Sequence, residues 1–148
     1  MNKLLQAGDR APSLPLLEGV RGGSPTLLAF FKVSCPVCQF TFPFLERLAK
    51  SGSMRVFGVS QDDAKATDRF AKEFGVTFPM LLDEQSAGYA ASNAFGVSTV
   101  PTLFLVDADG VVAFSGEGFV KRDLADLGRR AGIEVFRQDE PVPEWKAG

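Results

Sequence analysis

The sequence contains no histidine. That absence excludes a Ser-His-Asp triad, a Cys-His pair and any His-ligated metal site. Charge of one sign is also scarce: the formal net charge is -2, with both signs interspersed. Such a surface gives no footprint for nucleic acid, and no basic amphipathic stretch marks a membrane surface. Long apolar runs are missing as well. No span approaches the roughly 20 residues of a membrane helix, and Met1 to Arg10 lacks the apolar stretch of a signal peptide. No stable membrane insertion is therefore expected. As written, the chain reads as cytoplasmic, and as periplasmic if a signal or anchor was removed upstream of Met1. Chemistry is left to thiols, carboxylates, amines and backbone.

What is present is size, a core and one pair of thiols. At 148 residues and 45% hydrophobic, the chain can fill one core and is read as a single domain over residues 1–148. Its only cysteines stand in Cys35-Pro36-Val37-Cys38, directly after the apolar run Leu27 to Phe31. The run, bounded by Ser24-Pro25, reads as a buried strand, and Pro36 suits the first turn of a helix, where its missing N–H is not needed. Cys35 then becomes the N-cap. Its sulfur faces unpaired backbone N–H groups and the positive end of the helix dipole, which favour a thiolate. Cys38 follows one turn inward on the same face. The pair reads as a redox dithiol; the other readings are two structural thiols, or half of a zinc site completed by carboxylates or a second chain.

Along the chain, Ala11 to Gly23 reads as an extended lead-in with a short hairpin around Leu14 to Val20. A strand over 26–32 precedes a helix from Pro36 to about Lys50, in which Pro43 removes one hydrogen bond and predicts a kink. A strand over 54–60 and a helix over 62–74 follow, the latter capped by Asp62 or Asp63 and stopped by Gly75. Next come a strand over 77–82, a helix over 86–95 ending at Gly96, and a strand over 102–107. Asp109-Gly110 turns tightly into a strand over 111–116. A helix over 120–131 closes a core of about 8–131, and residues 139–148 read as an extended or loose tail: either disordered, or docked on the core through Trp145 and Val142. This order predicts an α/β fold with a central mixed sheet and helices on both faces.

The residues from Phe30 to Cys38, then Val59-Ser60-Gln61-Asp62, then Phe95 to Thr102 with its Val100-Pro101-Thr102, then Leu105 to Gly110, resemble the thioredoxin superfamily, in its TlpA-like and redoxin (AhpC/TSA-like) branch. The resemblance implies a thioredoxin-like fold in which residues 62–95 supply the strand and helix added to plain thioredoxin. It implies a cis Pro101 beside the dithiol, with the N–H and C=O of Val100 free to pair with an extended substrate. It also implies disulfide exchange with protein substrates: Cys35 attacks and Cys38 resolves. Ser34, Pro36, Val100 and Pro101 then form the substrate surface. No cofactor is implied beyond electrons from a partner thiol protein, and the chain is expected to act as a monomer.

Three positions depart from the family pattern: Ser34 stands where many relatives have a tryptophan, Ala29 where thioredoxin has its buried proton-relaying acid, and Thr41 where some TlpA-like proteins keep a glutamate. The proton acceptor for Cys38 is then Asp62, Glu46 or water. Lys32 lies close enough in sequence to add charge near Cys35. An antioxidant peroxidase is the main rival, but its Pro-x-x-x-Thr-x-x-Cys motif fails here: with Cys38 as the attacking thiol, Phe31 replaces the proline and Cys35 the threonine. A redox-inactive peptide-binding domain is the other.

Overall fold

Strand β1 (Thr26–Phe31) is buried at all six positions. A strand covered on both faces needs apolar or small side chains throughout, which is why no alternation shows in its sequence. In the computed structural model, which describes residues 3–20 and 24–148, β1 is the middle of a five-stranded sheet. Strand β2 (Arg55–Ser60) runs parallel beside it, and β3 (Met80–Leu82) runs parallel to β2 at one edge. On the other side β4 (Thr102–Val106) is antiparallel to β1, and β5 (Val112–Glu117) closes that edge antiparallel to β4.

Alternate residues of β1 face opposite sides. Leu27, Ala29 and Phe31 pack with Phe42, Leu45 and Leu48 of α1 (Pro36–Lys50), Phe70 of α2 (Ala64–Phe74), and Leu124 and Leu127 of α4 (Lys121–Arg130). Leu28 and Phe30 pack with Ala91 and Phe95 of α3 (Ala90–Phe95), and with Leu17 and Val20 of a 3-10 helix over Pro15–Val20. Helices thus cover both faces of a mixed sheet, in the α/β arrangement expected. Because β1 and β2 are parallel, their connection must cross a face of the sheet; α1 is that crossover, and it places its N-terminus at the end of β1. At Gly58 of β2 the packing is tight: a Cβ there would force the Met80 side chain to shift and would lie 3.1 Å from the Phe31 ring.

The structure corrects four local readings. The hairpin around Leu14 to Val20 is the 3-10 helix instead, because burying Leu17 and Val20 at a three-residue spacing matches its period; Arg21, Gly22 and Gly23 of that lead-in lie outside the described residues. The strand over 77–82 begins only at Met80. Thr77 is diverted to α1: its N–H and hydroxyl donate to the Glu46 carboxylate at 2.8 and 2.5 Å. The helix over 86–95 is split, since Gly88 and Tyr89 take left-handed conformations between a 3-10 turn (Gln85–Ala87) and α3. Buried Asp83 then caps α3 from outside, accepting from the N–H groups of Ala91 and Ser92 and from the Ser92 hydroxyl. Finally, the tail is not loose. Its residues Trp145–Lys146 form β7, antiparallel to β6 (Phe119–Val120). Val142 packs on the core, while Trp145 stays 64% exposed, so the tail docks without its tryptophan.

Candidate active site

The site is made where β1 ends. A turn closed by the Cys35 N–H donating to the Lys32 carbonyl leads from the strand into α1. Cys35 is the N-cap, with extended backbone, and Pro36 is the first helical residue. The Cys38 N–H donates to the Cys35 sulfur at 3.1 Å, one of the orphan donors of the first turn finding its partner. Both cysteines are free thiols; Cys35 is half-buried and Cys38 fully buried. Cys38 belongs to the apolar cluster that holds Ala29 and Phe42. Burial above all, then the hydrogen bond from the Cys35 side and its charge, push the Cys38 thiol well above the ordinary thiol range; a backbone hydrogen bond at Lys32 opposes them.

The second half of the site comes from the segment before β4. The Val100-Pro101 peptide bond is cis. The Cys35 thiol donates to the Val100 carbonyl at 3.5 Å, bringing together residues 65 positions apart. The Val100 carbonyl, which a cis X-Pro bend was expected to leave free for a substrate, receives this thiol, and the backbone of Gly148 lies against it. Ser34 and Pro36 are exposed on the lip beside Cys35, Val100 is half-buried, and Pro101 is buried.

The proton acceptors considered for Cys38 have other partners. Glu46 is bound to Thr77. Thr41, at the position where some relatives keep a glutamate, is no acceptor candidate and returns its hydroxyl to the Val37 carbonyl at 2.6 Å. Asp62 does not cap α2; Asp63 does, through Ala66. Asp62 instead accepts the Val33 N–H at 2.8 Å, and Gln39 donates to the Val33 carbonyl at 2.9 Å. Both backbone groups of Val33 are held by side chains, one from the adjoining helix and one from beyond β2, which fixes the turn carrying Cys35. Sequence reasoning missed Gln39 altogether, because a glutamine in a first helical turn carries no signal of a partner six residues back. No group of three Cys, Asp or Glu residues placed to hold an ion occurs among the described residues. No helix among them is long and apolar enough to cross a membrane.

A mixed sheet with a dithiol at the N-terminus of its crossover helix, facing a cis-proline, defines a thioredoxin-like protein. The chain belongs to the AhpC/TSA family, whose profile matches residues 12–115. It is 33% identical over 95 residues to the thiol-disulfide oxidoreductase ResA of Geobacillus thermodenitrificans, covering 61% of this chain and 52% of that protein. The chain thus spans about half the length of that relative. It is 30% identical over 122 residues to the thioredoxin-like protein YneN of Bacillus subtilis, covering 73% of this chain and 69% of YneN. Among solved structures, MTB dsbF, in mixed oxidised and reduced forms, superposes with a TM-score of 0.65 at 29% identity, over 78% of this chain and 83% of its own.

Proposed function

We propose that the chain is a thiol-disulfide oxidoreductase that reduces disulfides of protein substrates. The observation that carries this reading is the inequality of the two thiols: Cys35 is reachable at a helix N-terminus, while Cys38, one turn inward, is buried and held protonated. The Cys35 sulfur attacks a substrate disulfide. One substrate sulfur leaves with a proton, and the other is bonded to Cys35. Cys38 then loses its proton and attacks the Cys35 sulfur, closing a Cys35–Cys38 disulfide and releasing the second substrate thiol. Two electrons pass from the dithiol to the substrate, and a partner thiol protein restores them.

We assign as the substrate-binding residues Ser34 and Pro36, the chain neighbours of Cys35, Val100, whose carbonyl receives its thiol, and the adjoining Pro101. The apolar surroundings of Cys38 set it poorly for peroxide attack, since the thiolate is the reacting form. We assign the protein as a monomer, supported by Trp145 being the one large hydrophobic side chain exposed among the described residues. The same exchange runs in a periplasm, where structural disulfides persist. The expected result is catalysed reduction of insulin disulfides in the presence of dithiothreitol, lost in Cys35→Ser. A Cys35→Ser protein that keeps the full rate contradicts the assignment; a wild-type chain that binds oxidised insulin without turnover is a peptide-binding domain.

A further inference from the structure

The tail crosses the site. Its start is anchored by Glu140, which takes two hydrogen bonds from Arg47 at 2.7 and 2.8 Å; this guanidinium holds the Glu140 carboxyl down at about 2. From there the chain turns along the edge that leads to the dithiol. Lys121 N–H donates to the Glu144 carbonyl at 2.9 Å, and β7 pairs with β6. The Lys146 ammonium stands 5.3 Å from the centre of the Phe40 ring, two residues past Cys38. Gly118, beside β6, lies so close to the tail that a Cβ on it would be 2.6 Å from the Lys146 carbonyl oxygen. At Gly148 the backbone meets Val100, and a Cβ there would collide with the Val100 carbonyl oxygen. That oxygen is the one receiving the Cys35 thiol.

What holds residues 144–148 is slight. All five are exposed. Beyond the Lys146 contact their partners are the single Lys121–Glu144 backbone hydrogen bond, a two-residue ladder, the approach of Gly148 to Val100, and a Lys121–Glu144 ion pair at 3.8 Å with the glutamate largely in solvent. So short a ribbon is marginal in water, and exposed ion pairs add little. When these residues lift, the backbone of β6 is left as an open edge beside Val100, to which another extended chain can add as a strand.

We propose that residues 144–148 are an internal occupant of the polypeptide-docking edge formed by 118–120 and Val100, and that an extended, disulfide-bearing segment of a protein substrate displaces them to reach Cys35. This rests on the exchange reading above. A small aromatic disulfide has no chain to lay along the edge and reaches half-buried Cys35 with the tail in place. The edge is therefore selective by size, and the tail lowers apparent affinity for proteins alone, by the fraction of time it is seated.

The test compares the full chain, a chain ending at Pro143, and Lys146→Pro, whose residue 146 has no N–H to give a ladder. Substrates are oxidised insulin and dithiobisnitrobenzoate. Both variants are expected to lower KM for insulin by roughly threefold or more, with the dithiobisnitrobenzoate rate unchanged. A peptide of residues 141–148 added to the shortened chain raises KM again. Should the shortened chain fail to fold, Lys146→Pro decides. An unchanged KM for insulin, or equal changes for both disulfides, overturns the tail's role. If the full chain reduces neither disulfide, the exchange reading itself fails.

Discussion

Replacing Cys38 by alanine stops the exchange halfway: the protein accumulates as a mixed disulfide between Cys35 and its substrate, and turnover falls by roughly 100-fold or more. The size follows from what is removed. Cys38 sits one helical turn from Cys35, with its own N–H bonded to the Cys35 sulfur, so the resolving thiol is in place before the substrate arrives. An external thiol at millimolar concentration must replace a group whose effective concentration is many orders of magnitude higher. Burial keeps Cys38 protonated until the mixed disulfide forms, so the intact protein resolves faster as pH rises and a larger fraction of Cys38 ionises. Alkylation under denaturing conditions, followed by mass measurement, counts the trapped adduct. Full turnover in Cys38→Ala would mean that Cys38 takes no part.

The second large effect is on stability. Phe42→Ala is expected to cost about 3–5 kcal/mol, enough to lower the melting temperature by roughly 10 °C. Phe42 is fully buried one turn past Cys38, and its ring lies 4.4, 5.4 and 5.7 Å from those of Phe31, Phe70 and Phe78. These rings come from β1, α2 and the segment before β3, so alanine leaves a cavity where α1, α2 and the sheet meet. Surrounding elements cannot close it without moving the crossover helix itself. Phe40, half-buried on the same helix, packs against Phe44 and Phe119 and serves as the comparison: alanine there removes less buried area and costs less. Chemical denaturation of the reduced proteins measures both, and a loss under about 1 kcal/mol for Phe42→Ala would contradict this packing.

These effects also separate what the sequence made legible from what it did not. The extent of α1 was readable, because a buried run followed by Cys-Pro carries both a strand end and a helix start. The helix continues through Pro43 as one element. Asp-Gly likewise marked the β4–β5 hairpin. Features that depend on distant side chains were not readable from local pattern. Asp83 caps α3 from eight residues away, Glu46 binds Thr77 across 31 positions, and Asp62 reaches Val33 across 29. Each overrode a local signal: a helix start at Ser86, a strand start at Thr77, a cap at Asp62. The approach of Val100 to Cys35 came from resemblance rather than from the residues themselves. The tail misled because its composition is that of a disordered segment, whereas its hold on β6 is made by backbone, which composition does not register.

The central claim is that Cys35 and Cys38 pass two electrons as a unit. Its most direct test equilibrates the protein in thiol buffers of defined potential and counts the reduced fraction by alkylation and mass. The account predicts a reversible two-electron transition at about -220 mV or below, in the range of dithiol reductases. A midpoint near about -120 mV would contradict the direction of transfer and make the protein an oxidant of substrate thiols. A pair that never interconverts, or a Cys38 that only overoxidises with peroxide, would contradict the exchange mechanism altogether.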